Sequence, residues 1–193
     1  MNGKSHRIIT YLLLLGVCLA FTACASVNTS ESDSKDQNIN VIESVLKQQF
    51  TGPDQELMDL LDDPQNSTII GNGEPSNSEE PTWLDIYLEE KYQTYFSESM
   101  YDEFIGTYAM GYHVVAYNND YQFEAEKVDI KKNDDAEGAY DFTVNVLFKK
   151  EKNGTEEKSS KVTGRININE EGKITNFRLM GDDDLSKTLT SDS

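Results

Sequence analysis

After Cys24 the chain holds no further cysteine, a single histidine, His113, and a single tryptophan, Trp83. An internal disulfide, a thiolate nucleophile and a cysteine-built metal site are thereby excluded downstream of Cys24. One imidazole without a placed partner is thin ground for acid–base catalysis, and no catalytic residue is assigned. Basic side chains are scarce too: 17 Lys and Arg stand against 35 Asp and Glu. A surface this negative repels nucleic acid and anionic lipid headgroups, so neither is expected to bind it. Long apolar runs are missing except for one, Ile8 to Ala23, whose 16 residues fall short of the ~20 that a membrane-spanning helix needs.

That one run has a secretory layout. Lys4 and Arg7 precede it, residues 8–17 supply the apolar middle, and small residues close it. No Lys/Arg cluster follows to stop transfer, so residues 1–23 read as a removed signal and not as a retained span. Phe21-Thr22-Ala23-Cys24 resembles the lipobox of bacterial lipoproteins, in which an apolar residue and small residues precede the modified cysteine. The resemblance implies lipidation of Cys24, cleavage before it, and acylation of the new amino terminus. The departure is Phe21, where the family usually has Leu. Cys18 follows Val17, which is too bulky for that cleavage site, and is expected to leave with the signal. An ordinary signal with an incidental cysteine is the plain alternative.

Two acyl chains suffice for stable anchoring where one is marginal. Losing Lys4 and Arg7 leaves 15 basic side chains against 35 acidic ones, a formal charge of −20. The tether, not the surface, must then hold the domain at the membrane. The expected location is the extracytoplasmic face of the cell membrane of a bacterium, Gram-positive on this reading. Residues 24–38 are polar without an apolar period, and are expected to be a disordered tether spanning on the order of 20 Å.

The folded domain is expected over 39–185, with helices in 39–105 and a sheet in 108–181, followed by a polar tail, 186–193. Ile39, Ile42, Val45, Leu46 and Phe50 fall on one helical face. Pro53 opens a second short helix with Asp54 and Glu56 in its first turn, and Asp62-Asp63-Pro64 stops it. The stretch from Gln65 to Pro81 reads as a long loop, in which Asn66-Ser67-Thr68 fits a glycosylation sequon but reads as ordinary loop chemistry. Thr82 precedes an aromatic helix, Trp83 to Phe96, with Leu84, Leu88, Tyr92, Tyr95 and Phe96 as its buried stripe. Ser97 caps a further helix that Gly106 ends. Period-two patterning then predicts strands over Tyr108–Tyr117, from Tyr121 with a bulge near Glu126-Lys127, over Tyr140–Phe148, through Val162, Ile166 and Ile168, and from Ile174 to Leu179 with a phase slip. Asn153-Gly154 signals a hairpin.

Amphipathic helices followed by long, bulged antiparallel strands describe an α+β domain, its helices packed on a curved sheet of about four to five strands. The aromatic helix with its Ser97 continuation, and the closing Gly172-Lys173-Ile174 hairpin with Phe177 and Leu179, resemble the nuclear-transport-factor-2-like superfamily. That resemblance implies a cone-shaped fold over Ile39 to Leu185, in which some members catalyse with Asp, His or Tyr groups and others only bind. A cystatin-like sheet wrapped on a helix is the near rival.

Eight of the nine tyrosines beyond Cys24 lie between Tyr87 and Tyr121. Tyr92, Tyr95, Tyr112 and His113 are the candidate lining of a concave pocket; a helix–sheet core with hydroxyls at its wet rim is the competing reading. Residues 133–138 resemble the start of a calcium loop, but the twelfth position is Val144, where a bidentate Glu is required. Asp182-Asp183-Asp184 reads as a solvated charge run before a metal site. Lys149, Lys150, Lys152, Lys158 and Lys161 form a basic patch that fits an acidic partner or the protection of sheet edges. No metal or cofactor is expected. The sequence therefore points to a non-catalytic binding or protein-interaction module, with membrane contact through the lipid and a cell-envelope protein as partner. A small-molecule or glycan-binding cone, with weak acid–base activity at most, is the alternative.

Overall fold

A computed structural model of the protein describes residues 29–66, 80–151 and 156–190. The chain divides into two units, Met1–Lys35 and Asp36–Ser193, and the architecture below is that of the second. Helix α1 (Thr29–Gln49) leads into α2 (Gln55–Asp62), α3 (Trp83–Tyr92), α4 (Glu98–Thr107) and α5 (Gly111–Asn118). Strands β1 (Tyr121–Lys132), β2 (Ala139–Lys150), β3 (Lys158–Ile168) and β4 (Ile174–Gly181) follow, and α6 (Leu185–Thr190) closes the chain. The fold class is α+β. Among the described residues no helix is long and apolar enough to cross a membrane.

The sheet is an antiparallel meander in the order β1-β2-β3-β4, open at both edges. Its alternation works as the pattern requires: Tyr140, Phe142, Val144, Val146 and Phe148 point inward and are buried, while Asp141, Thr143, Asn145 and Leu147 face out half-buried. Register slips between Ala125 and Lys127, at the expected bulge, and again between Asn167 and Ile168 opposite Ile174. Each slip lets a strand whose apolar phase changes keep one face on the core.

The helices cover that inner face. Ile42, Val45, Leu46 and Phe50 of α1 and the turn after it are wholly buried. Phe104 of α4 is an aromatic hub, its ring centroid 4.4 Å from Phe96, 5.2 Å from Tyr92 and 5.1 Å from Phe177 of β4. Such ring pairs add about 0.5–1.5 kcal/mol each beyond their area burial, so this cluster fixes α3 and α4 against the sheet. Phe96 forms an isolated bridge with Ile174, and the Ser97 N–H donates to the Ile174 carbonyl at 2.9 Å.

Several expectations are corrected. Residues 108–117 are not a strand: Tyr108 caps α4 and Gly111–Asn118 is α5, so the sheet has four strands. The buried positions Ala109, His113 and Ala116 recur at i, i+4 and i+7, a helical stripe made of small and polar residues. Gly106 does not end α4, which runs to Thr107. The aromatic helix stops at Tyr92 and continues as a 3-10 turn, Gln93–Tyr95, and Trp83 is exposed. The last residues are not simply a polar tail, because Leu185 and Leu189 of α6 are wholly buried. Helix α1 begins at Thr29 and not near Ile39; its packed turns supply the nucleus from which helix propagates into the polar stretch. Cys24, the Asn153-Gly154 turn and residues 67–79 lie outside the described residues.

At Gly164 a β-carbon would come within 2.3 Å of the Arg178 carbonyl oxygen and 2.4 Å of the Phe142 ring. Gly106, on the open side of α4, has nothing within 4 Å. Equilibrium urea unfolding should find Gly164→Ala destabilised by about 1–3 kcal/mol and Gly106→Ala stabilised by up to about 1 kcal/mol.

Candidate functional site

The start of α2 is held by one carboxylate. Asp54 is the N-cap, and its Oδ1 accepts the Leu57 N–H at 3.1 Å. Oδ2 accepts the Tyr87 hydroxyl at 2.5 Å and the Lys91 ammonium, which also donates to the Tyr87 oxygen at 2.9 Å. Tyr87 and Lys91 are one turn apart on α3, so a single helix face presents both. The ion pair is nearly out of solvent, with Lys91 and Asp54 side chains 19% and 14% exposed. Burial alone would raise the Asp54 pKa, but hydrogen bonds from Lys91, Tyr87 and the Leu57 N–H hold it below the usual value. Burial, then the Asp54 carboxylate, pushes the Tyr87 hydroxyl up, so it stays protonated.

The Asp54 N–H donates to His113 Nδ1 at 3.1 Å. Nδ1 must therefore be unprotonated, which puts the proton of the neutral ring on Nε2. Nε2 is buried and makes no hydrogen bond among the described residues. Burial first, then the Lys91 charge, lowers the His113 pKa to about 4, against the weaker pull of the Asp54 carboxylate. The ring is packed between Phe123, 5.4 Å away by centroid, and Gly52, where a β-carbon would come within 2.4 Å of Nδ1. At neutral pH Asp54 is ionised, Tyr87 protonated and His113 neutral. The arrangement works as a clasp joining α2, α3 and α5.

The four residues proposed as a pocket lie in different surroundings. Tyr92 is buried beside Phe104, its hydroxyl without a hydrogen bond among the described residues. The Tyr95 hydroxyl accepts from Gln48 Nε2 at 3.4 Å. Tyr112 packs at a tilt against Phe50, 5.3 Å by centroid, and donates to Asp182 at 3.2 Å. His113 is on α5, not on a strand, in the clasp described above. None of the four lines any of the concavities described below.

Other sequence features find local roles. Asp182 accepts the Ser186 N–H at 3.0 Å at the start of α6, and Asp183 and Asp184 take positive φ. Asn66 is buried, donating to the Leu60 carbonyl and accepting the Leu84 N–H. Lys150 lies over the Tyr121 ring at 5.2 Å. No group of three or more His, Cys, Asp or Glu among the described residues could hold a metal ion. Asp54, Tyr87 and Lys91 were not legible as a site. The available signal was the i,i+4 spacing of Tyr87 and Lys91, which says they share a face but not what meets it.

Three concavities among the described residues lie at the helices and at the β1–β2 edge. A small one, about 300 Å³, lies where Gly52 bridges Phe123 and reaches Lys149 and Glu157. Another, about 540 Å³, lies between Pro53 and Tyr117. The third, about 1330 Å³, is an open groove between α3 and α4. Leu88 and Phe96 form its floor, with Ile86, Tyr101 and Ile105 half-buried along it. Its rim bears Asp85, Glu89, Glu90, Glu98 and Asp102, all exposed. The one cation in the lining, Lys173, donates to the Thr94 carbonyl at 2.5 Å. Burial, then Glu89, Asp85 and Asp102, raises the Tyr101 pKa, so carboxylates of both helices act on the same hydroxyl.

His113 sets a pH dependence of its own. Its ordinary pKa of 6.5 is lowered to about 4 in the fold, so between those values the unfolded chain binds more protons. Its contribution is then complete above pH 6.5 and is lost as pH falls toward 4, on the order of 3 kcal/mol in all. Asp54 acts only below its ordinary 3.8, outside that window. Denaturant midpoints from pH 7 to 4.5 should fall steeply for the wild type and visibly less for His113→Phe, whatever the variant's stability at pH 7. Equal slopes would remove His113 from this role.

No protein-family model, no curated protein and no solved structure matches the chain, so its function has to be sought in its own residues.

Proposed function

We propose that the chain is a lipid-anchored extracytoplasmic lipoprotein whose domain serves as a non-catalytic binding or protein-interaction module at the cell envelope. The observation that carries this reading is the coincidence of a secretory layout with Phe21-Thr22-Ala23-Cys24 at its end. The charge of the remaining chain supports it, because a domain at −20 has no electrostatic means of staying on an anionic surface. The α3–α4 groove supplies the module with an open surface of the size and mixed character that recognition uses. The succession of helices and an antiparallel meander keeps the cone-fold resemblance within the same proposal.

Fractionation of cells expressing the wild type and Cys24→Ser tests the anchor. The wild type should partition into the detergent phase and incorporate labelled fatty acid. Cys24→Ser should be released in soluble form or kept uncleaved, without label. A wild type found free in the cytoplasm would defeat the reading.

A further inference from the structure

The carboxylates of the α3–α4 groove are placed against the chain's own interest. Asp85 and Glu89 are one turn apart on α3, and Glu98 and Asp102 are one turn apart on α4. Like charges at that spacing destabilise a helix. Asp85 and Glu98 have a local reason to be acidic: each lies in a first turn, and Asp85 closes a capping box with Thr82. Glu89, Glu90 and Asp102 have no such reason, and no Lys or Arg pairs with them among the described residues. Lys91 of the same helix is turned away into the Asp54 clasp, and Lys173 is engaged with a backbone carbonyl. The field in the groove is therefore left for something outside the domain to neutralise.

A small cation would satisfy the rim but not the floor. Leu88, Phe96, Ile105 and Tyr101 form an apolar strip between the two acidic helices, and a groove of about 1330 Å³ is far larger than one hydrated ion requires. Trp83, 66% exposed, opens α3 one turn before Ile86, next to the groove but not in its lining. A second copy of this chain is a poor occupant, since both carry a large negative charge. The chain just before α3 is no better on composition, because residues 67–79, outside the described residues, contain no Lys or Arg and two Glu.

We infer that the α3–α4 groove is a docking site for a cationic amphipathic segment of a partner protein. Its apolar residues lie on the Leu88–Phe96–Ile105 floor, and its Lys or Arg side chains pair with Glu89, Glu90 and Asp102. The inference deepens the interaction-module reading by naming the chemistry of the partner. Electrostatic complementarity here speeds encounter and sets specificity, while burial of the apolar floor supplies residence time.

The test uses the full chain in discs of zwitterionic lipid, with empty discs as blank. The probe is an idealised Leu/Lys amphipathic helix of about five turns, free of aromatic residues, so all tryptophan emission comes from Trp83 at the start of α3 beside the groove. The peptide should saturate a shift of that emission, and Glu89→Gln/Asp102→Asn should weaken binding roughly tenfold at physiological salt. The variant should melt no lower than the wild type, because its like-charge pairs are relieved, so lost binding cannot be lost folding. Glu170→Gln/Glu171→Gln, which removes the same charge at the exposed β3–β4 turn, should leave affinity within about twofold. A Ser/Lys peptide of equal charge should bind roughly tenfold more weakly than the Leu/Lys helix. Equal losses in the two acidic variants, equal binding of the two peptides, or no binding would each overturn the proposal. A chain free in the cytoplasm would sink the anchor and leave this binding intact, whereas an anchored chain that ignores the peptide would sink the groove alone.

Discussion

The helical layer depends on how Asp54 is shared. Its backbone N–H fixes the tautomer of His113, one carboxylate oxygen caps α2, and the other takes Tyr87 and Lys91 from α3. Three helices thus meet at one residue whose charge is mostly removed from water. A partly buried pair contributes little compared with an apolar substitute, and removing one partner leaves the other charge without its counter-ion. Its value is directional. It fixes which face of α3 turns inward, and therefore which residues of α3 are left on the outside.

What is left outside is the acidic side of α3. With Lys91 drawn into the clasp, α3 presents Asp85, Glu89 and Glu90 without a basic neighbour, opposite Glu98 and Asp102 of α4. The aromatic hub around Phe104 holds the two helices in that relation through Phe96 and Tyr92. Interior and exterior are linked through one helix: the inward lysine stabilises the fold, and its absence from the surface makes the groove electronegative. The fold tolerates the repulsion because the core beneath it, from Phe50 to Phe177, is fully buried.

The parts of the fold that could be read in advance are those where chemistry and period agree. Strand β2 alternates apolar and polar residues on a sheet with one wet face, and nothing else accommodates that pattern. The bulges of β1 and β4 are visible because a phase change in a half-buried strand has no other remedy. Residues 108–117 misled because Tyr112, Val114 and Val115 favour a strand by propensity, while the face that is buried carries Ala109, His113 and Ala116, none of which marks a core by hydrophobicity. Leu185 and Leu189 did carry a helical spacing, set within polar residues that hid it. The clasp was legible only as the shared face of Tyr87 and Lys91, because Asp54 and His113 meet it from elsewhere in the chain, and the groove only appears when α3 and α4, neighbours in sequence, pack side by side.

The central claim is that the inward commitment of Lys91 leaves α3 and α4 as an electronegative docking face. Hydrogen–deuterium exchange on the full chain in zwitterionic discs, with and without the Leu/Lys helix, addresses it most directly. The account predicts added protection confined to Trp83–Tyr92 and Glu98–Thr107, with α5 and the outer face of β2 and β3 unchanged. Protection concentrated on the sheet, or absent from α3 and α4 while the peptide is bound, would contradict it.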